Sequence, residues 1–170
     1  MKFQDLLAKS RKSDSTWQPP EKLLALDPGE TIGWAVFEQG KFLECGQKES
    51  KNHPAKSIQE LFQDVQPTMV VAEDYKVYAH KSDAHKWNDL FTPRLLGMIE
   101  LLSDQYKIPL HLQMAGTVKQ FCNAHKLMEW GFYKPGKRHA DDAIKHATYF
   151  LLFHNRRIQD VREGAKKTDQ

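Results

Sequence analysis

The sequence has little cysteine and no long apolar segment. Its two cysteines, Cys45 and Cys122, lie far apart and form no CxxC pair, which is typical of ordinary thiols in a reducing compartment. No apolar run approaches the ~20 residues that a membrane span requires, and no secretory signal precedes the cysteines. These absences predict a soluble, cytoplasmic domain.

A strong excess of either charge is also missing. The 25 Lys and Arg residues stand against 22 Asp and Glu residues, for a formal net charge of +3. Any nucleic-acid surface must therefore come from the distribution of charges and not from bulk basicity. What the chain does have is core material. It has 170 residues, 40% of them hydrophobic, with 4 Trp and 9 Phe, which suffices for one domain.

The order of the predicted elements indicates an α/β fold. Residues 1–21 are polar, contain two prolines and form a predicted N-terminal arm, in which Phe3, Leu6 and Leu7 have the spacing of a short helix. Short connections between the first three strands predict an antiparallel meander, within a mixed five-stranded sheet flanked by helices. Periodicity and turn residues predict strands at 22–27, 31–37, 41–48, 67–74 and 108–114, and helices at 54–64, 84–105 (bent near Pro93), 115–125 and 139–153. A polar, solvated tail is predicted at 154–170.

Two of the predicted strands end in an acidic side chain. Asp27 follows the apolar run Leu23 to Leu26, and Glu73 ends the strand "MVVAE". A carboxylate at the edge of a buried strand is costly unless something compensates its charge. If the two strands are parallel neighbours, both carboxylates emerge at the same edge of the sheet. Taken alone, Asp27 could equally cap the Asp-Pro-Gly corner of a hairpin.

The last predicted helix, "HADDAIKHATYFLLF", supplies a further pair of polar side chains. His139 and Asp142 are three residues apart and share a face, which His146 and Tyr149 continue. Asp141 lies roughly 200° around the helix from His139, so we expect it to be an exposed capping acid.

Three separate segments thus supply one predicted cluster, made of Asp27, Glu73 and the pair His139 and Asp142. Packed carboxylates repel one another, and such a group is stable only if divalent cations neutralise it. Hard oxygen ligands suit Mg²⁺ or Mn²⁺, and an added imidazole favours Mn²⁺. The sequence therefore predicts a site for two divalent cations.

Four segments of the sequence, in this order and spacing, resemble those of one known family. They are "LALDPGETIGWAV", "VVAEDY", "AGTVKQF" and "HADDAIKHA". They are similar to the first strand and hairpin, the acidic fourth strand, a Thr-Val-Lys segment and the last-helix motif of the RuvC-like Holliday junction resolvases. This family belongs to the RNase H-like (retroviral integrase) superfamily, so the resemblance implies an RNase H-like nuclease domain over residues 22–153. Carried over by position, it places the catalytic and metal-binding roles on Asp27, Glu73, His139 and Asp142.

The sequence departs from the family at two points. Many members have Asp where His139 stands, although His occurs there in some. The arm before residue 22 precedes the point where compact members begin, which is similar to the divergent, viral branch of the family. For a viral protein the expected location is the host cytoplasm.

The implied chemistry is phosphodiester hydrolysis with two metal ions. Two cations ~3.5–4 Å apart clamp the scissile phosphate, one activating water and the other stabilising the leaving 3′ oxygen. Asp27 is expected to bridge the two ions, and Glu73 and Asp142 to complete one shell each. His139 is expected to bind a metal ion or to position the attacking water.

Basic and aromatic side chains follow Glu73 in the segment "DYKVYAHKSDAHKW". This mixture suits phosphate contacts and stacking on unpaired bases, which is worth roughly 1–3 kcal/mol per base. The corresponding stretch of RuvC-like enzymes bears an aromatic near the opened centre of the junction, which Tyr75 or Tyr78 resembles; a surface loop with packed aromatics explains the pattern equally well.

A second basic stretch contains Lys119, the best single candidate for a phosphate contact. The predicted DNA-binding residues are Tyr75, Lys76, Tyr78, Lys81, Lys119, Lys137 and Arg138.

The predicted function is the resolution of four-way DNA junctions by a homodimer with Mg²⁺ or Mn²⁺. A junction has two-fold symmetry and needs paired nicks, which one site per subunit provides. The long helix predicted at 84–105 is a natural dimer face, or is buried on its own sheet. Two alternatives stay open. One is an RNase H-like nuclease for other branched DNA or RNA–DNA hybrids, and the other is a junction-binding protein without catalysis.

Overall fold

The centre of the fold is one five-stranded sheet. The computed structural model of the protein describes residues 1–13, 16–75 and 90–166, with residues 13 and 154–166 described as backbone alone. The strands are β1 (Lys22–Asp27), β2 (Thr31–Glu38), β3 (Lys41–Glu49), β4 (Met69–Asp74) and β5 (Leu110–Met114). The described helices are α1 (Phe3–Ser13), α2 (Pro54–Val65), α3 (Phe91–Tyr106), α4 (Ala115–Phe121), α5 (Ala124–Trp130) and α6 (Arg138–Lys166).

The strand order is β3-β2-β1-β4-β5. β1 and β2 pair antiparallel, as do β2 and β3, whereas β4 runs parallel to both β1 and β5. This confirms the predicted α/β fold with a mixed sheet of an antiparallel meander and parallel strands. Leu26 pairs with Ala72, so the next residues, Asp27 and Glu73, leave the two central strands side by side.

Helices cover both faces of the sheet. On one face, Ile144 of α6 and Phe3 and Leu7 of α1 belong to a single buried cluster. On the other face, Ile58 of α2 and Ile99 of α3 belong to a second cluster. The central strand β1 carries a continuous apolar run because both of its faces are buried. Among the described residues, no helix combines the length and apolar character needed to cross a bilayer.

The N-terminal arm contains the helix that its spacing predicts. Phe3 and Leu7 of α1 are only 2% and 3% exposed, and Leu7 packs beneath the β2–β3 turn at Gly40. The backbone of α6 continues to Lys166, so the last helix does not end at residue 153 as predicted. The division of the chain into arm, nuclease domain and tail stays a prediction.

Two further helix boundaries differ from the predicted ones. In the part of the chain that the structure describes, α3 begins at Phe91, which places Pro93 in the first turn, and positions 84–89 of the predicted helix lie outside that part. The backbone N–H groups of the first turn have no acceptor within the helix, so the missing N–H of Pro93 costs no hydrogen bond and does not require a bend. The segment predicted as one helix at 115–125 forms two, α4 and α5, because Asn123 accepts a hydrogen bond from Lys126 N at 3.0 Å and caps the second helix.

The apolar side of α3 is turned mostly toward its own sheet. Leu95 and Ile99 are fully buried there, whereas Leu101 is 66% exposed on the opposite side. This arrangement agrees with the interpretation that the long helix is buried on its own sheet. A dimer face on this helix stays a prediction.

Candidate active site at the carboxyl edge of β1 and β4

The first turn of α6 lies directly on the sheet at Gly33. A Cβ atom built on Gly33 would lie 1.9 Å from the carbonyl oxygen of His139, so a residue with a side chain does not fit. Gly33 pairs with Asp27 on β1 and with Gln47 on β3. Gln47 Oε1 accepts a hydrogen bond from His139 N at 3.1 Å. These contacts fix the backbone of His139 beside the end of β1.

His139 and Asp27 form a direct side-chain contact. His139 Nδ1 lies 2.8 Å from Asp27 Oδ2, and the two side chains are 44% and 15% exposed. Because an ionised carboxylate only accepts hydrogen bonds, Nδ1 of the imidazole carries the proton. The other nitrogen of the neutral ring, Nε2, is then the one with a lone pair for a ligand.

The carboxyl group of Asp27 is subject to opposing influences. Burial raises its pKa above the usual value, the hydrogen bond from His139 lowers it, and the negative charges of Glu73 and Asp142 raise it again, with a net increase. The three carboxylates therefore act on one another across this edge of the sheet. The surroundings of Asp27 in the fold therefore disfavour its ionised form relative to the same group in water.

Glu73 is held by two basic side chains. His146 Nε2 donates to Glu73 Oε2 at 3.0 Å, and Lys119 Nζ lies 3.6 Å from the same oxygen. Burial by itself raises the pKa of Glu73, but the hydrogen bond and charge of His146, together with Lys119, outweigh it and lower the pKa below its usual value. The other ring nitrogen of His146 lies 2.9 Å from Gln113 Oε1 on β5. Gln113 and Glu73 are register partners on adjacent strands.

His146 is a site residue that the sequence interpretation missed. Its place on the same helix face as Asp142 is a signal in the sequence, but its contact with Glu73 depends on how α6 crosses β4. The side chain is fully buried, and both ring nitrogens are engaged.

Replacing His146 is expected to destabilise the fold. We expect His146→Leu to lower the free energy of unfolding in urea by about 2 kcal/mol, because it removes the buried hydrogen-bond partner of Glu73 and of the Gln113 side-chain amide. His125→Leu, at an exposed position of α5, is the matched control and should change it by less than about 0.5 kcal/mol. Equal effects of the two substitutions would contradict the role of His146.

Asp141 is not the exposed capping acid that the helix-wheel argument predicts. It is only 6% exposed, and its Oδ1 accepts a hydrogen bond from Lys134 N at 2.9 Å. The loop before α6 folds back over the side of the first turn that carries Asp141, so this side does not face solvent. Asp141 therefore fastens that loop to the helix. Asp142, its neighbour, is paired with Lys145 at 2.6 Å.

The predicted metal site is not preassembled. Within residues 1–13, 16–75 and 90–166, no group of three or more His, Cys, Asp or Glu side chains is arranged to hold a metal ion. The donors themselves fit a divalent cation, since three mutually repelling carboxylates and one imidazole suit Mg²⁺ or Mn²⁺ in charge and ligand type. One oxygen of each carboxylate contacts a basic side chain, so a cation that binds this oxygen has to compete with that side chain.

The predicted DNA-binding residues are only partly described. Tyr75 is half-buried and packs against the core on the α2 and α3 face. Lys119 is half-exposed beside Glu73, and Lys137 and Arg138 are exposed at the start of α6. Lys76, Tyr78 and Lys81 lie outside the described residues. A DNA-binding role for all seven stays a prediction.

Comparisons with known proteins identify the fold. No protein-family model matches the chain, and no curated protein matches it in sequence. RuvC of Thermus thermophilus in complex with a Holliday junction substrate superposes with a TM-score of 0.60 at 17% identity, over 79% of this chain and 94% of that one. A further RuvC structure from the same organism superposes with a TM-score of 0.60 at 15% identity, over 79% of this chain and 95% of that one.

A third structure extends the match over nearly the whole chain. The yeast mitochondrial Holliday junction resolvase Ydc2 superposes with a TM-score of 0.54 at 14% identity, over 97% of this chain and 90% of that one. The predicted RNase H-like architecture is thereby confirmed, while the predicted viral branch stays untested. The chain has the fold of the RuvC-like Holliday junction resolvases.

Proposed function

We propose that this protein is a divalent-cation-dependent endonuclease that resolves four-way DNA junctions, acting as a homodimer. The observation that carries the proposal is the convergence of three carboxyl groups, those of Asp27, Glu73 and Asp142, at one edge of the sheet. The negative charges of Glu73 and Asp142 raise the pKa of Asp27 there. Repulsion among buried carboxylates is a cost that divalent cations relieve. A cytoplasmic location and the use of Mg²⁺ or Mn²⁺ belong to the same proposal.

The position of each of the four predicted catalytic residues in the fold supports its proposed role. Asp27 ends the central strand, and the charges of both Glu73 and Asp142 act on it, which supports a role in holding the proposed cations. Glu73 and Asp142 flank it from β4 and α6. His139 is fixed by its backbone, and the contact of its Nδ1 with Asp27 leaves Nε2 as the ring nitrogen that would bind a cation. Bound divalent cations supply an activated water and stabilise the leaving 3′ oxygen.

The direct test uses a synthetic mobile four-way junction labelled on each strand in turn. With Mn²⁺ or Mg²⁺ we expect symmetric nicks on opposing strands and ligatable duplex products. Flap and RNA–DNA hybrid substrates, in the same buffer, should be cut at least about tenfold more slowly. Preferential cleavage of a flap or hybrid would replace this proposal with a different RNase H-like nuclease activity.

Removal of the cation provides the next prediction. We expect a chelator in excess over the metal to stop junction cleavage completely, and added Mn²⁺ to restore it, because the carboxylate cluster without a cation has nothing to activate water. Junction binding, followed by a gel shift in the same chelated buffer, should persist. Cleavage that continues in chelator would contradict the metal-dependent role.

A further inference from the structure

Asp142 is already paired with a cation that the chain itself supplies. Lys145 Nζ lies 2.6 Å from Asp142 Oδ1, and only 15% and 9% of the two side chains are exposed. The two residues are three positions apart on α6 and lie on the same side of the helix. An ion pair this well shielded is screened by salt much less than a surface pair.

Lys145 differs from the other basic side chains at this edge. His139 can itself become a metal ligand through Nε2, and Lys119 is 47% exposed and so can turn away into solvent. The ammonium of Lys145 has no lone pair and cannot join a metal's ligand shell. A divalent cation that binds Asp142 Oδ1 must therefore displace Lys145, and one that binds Oδ2 is repelled by its ammonium at close range.

We propose that Lys145 is an internal counter-ion that competes with a divalent cation for Asp142, so that it sets the cation concentration at which the site fills. The proposal rests on the metal-dependent function proposed above and assigns a role to a residue outside the predicted catalytic set. While the pair is closed, the charge of Asp142 is offset without any metal. The consequence is weaker binding of the cation.

The test measures Mn²⁺ binding directly, without DNA and without cleavage. Free Mn²⁺ is followed by its electron paramagnetic resonance signal while metal is titrated into the purified full chain. Lys145→Met keeps the length of the side chain and removes its charge, and we expect it to bind Mn²⁺ about tenfold more tightly than the wild type. Lys145→Arg keeps the charge and should bind as the wild type does.

A second titration shows whether the effect passes through Asp142. In an Asp142→Asn background the counter-ion has no carboxylate to occupy, so Lys145→Met should then leave Mn²⁺ affinity unchanged. An equal gain in both backgrounds would mean that Lys145 acts through its general charge, and the proposal would be wrong. Unchanged or weaker Mn²⁺ binding by a folded Lys145→Met protein would also overturn it, as would no binding by either protein.

Folding and function are checked separately. Urea unfolding establishes that each variant is folded, and Lys145→Gln provides a second neutral variant that should match Lys145→Met. Junction cleavage is assayed independently. Tighter Mn²⁺ binding without any junction cleavage would refute the proposed function and leave the role of Lys145 intact, whereas cleavage with no change in affinity would refute only the role of Lys145.

Discussion

Asp27→Asn is expected to lower the rate of junction cleavage by about 10³-fold or more, while junction binding survives. The substitution keeps the shape of the side chain but removes the charge that the catalytic cations require, a loss of several kcal/mol in the transition state. Single-turnover cleavage and a gel shift at the same salt concentration measure the two effects. Equal cleavage by the variant would rule out Asp27 as a metal ligand.

The same substitution should stabilise the metal-free fold. The folded-state pKa of Asp27 lies above its usual value, so stability falls as the pH rises from the unfolded pKa through the folded one, and the loss persists at neutral pH. Asp27→Asn removes this penalty and should raise the urea midpoint at pH 7, less so in acid. An inactive but more stable variant would show that the lost activity does not come from misfolding.

The matched control for this substitution lies on α2. Asp64→Asn makes the same chemical change at an exposed position, and we expect cleavage and the urea midpoint to stay at wild-type values. A loss of activity in this control would mean that the assay responds to net charge and not to the site.

Gly33→Ala is expected to have the largest effect on stability. The new methyl group would lie 1.9 Å from the carbonyl oxygen of His139 and 2.2 Å from its carbonyl carbon, and both are backbone atoms that cannot turn aside. We expect the free energy of unfolding to fall by about 3 kcal/mol or more. Because the first turn of α6 must lift from β2, the remaining folded protein should also cleave about 10²-fold more slowly.

Gly97→Ala is the control for Gly33→Ala. Gly97 lies within α3, and an added Cβ there meets no atom within 4 Å. Alanine is favoured over glycine in a helix by about 1 kcal/mol, so this variant should be slightly more stable than the wild type and fully active. If the two alanine variants behaved alike in urea, the close approach of α6 to β2 would be wrong.

The chain's local patterns were enough to predict most of the fold. The unbroken apolar runs before Asp27 and Glu73 predict buried strands, and both strands lie at the centre of the sheet as parallel neighbours. The short connections between the first three strands, after Asp27 and at Gly40, predict the meander. These signals are reliable because periodicity and turn geometry involve residues close in the sequence.

The helix-wheel argument was wrong for Asp141 for a clear physical reason. A wheel assigns one face to the core and the opposite face to solvent, which holds for a helix on an open surface. The first turn of α6 instead packs on the sheet at Gly33 and is covered by the preceding loop at Asp141. A buried aspartate that binds a backbone amide is then stable on the supposed outer face.

The order of the elements, the mixed sheet and the placement of carboxylates at strand ends could be predicted from the sequence, because these follow from neighbouring residues. Which basic side chains contact Asp27 and Glu73 depends on the packing of α6 and could not be predicted. The contacts of His139 with Asp27 and of His146 with Glu73 join side chains from distant parts of the chain, and they depend on how closely α6 approaches the sheet at Gly33. That distance is set by packing between elements, which no local pattern in the sequence specifies.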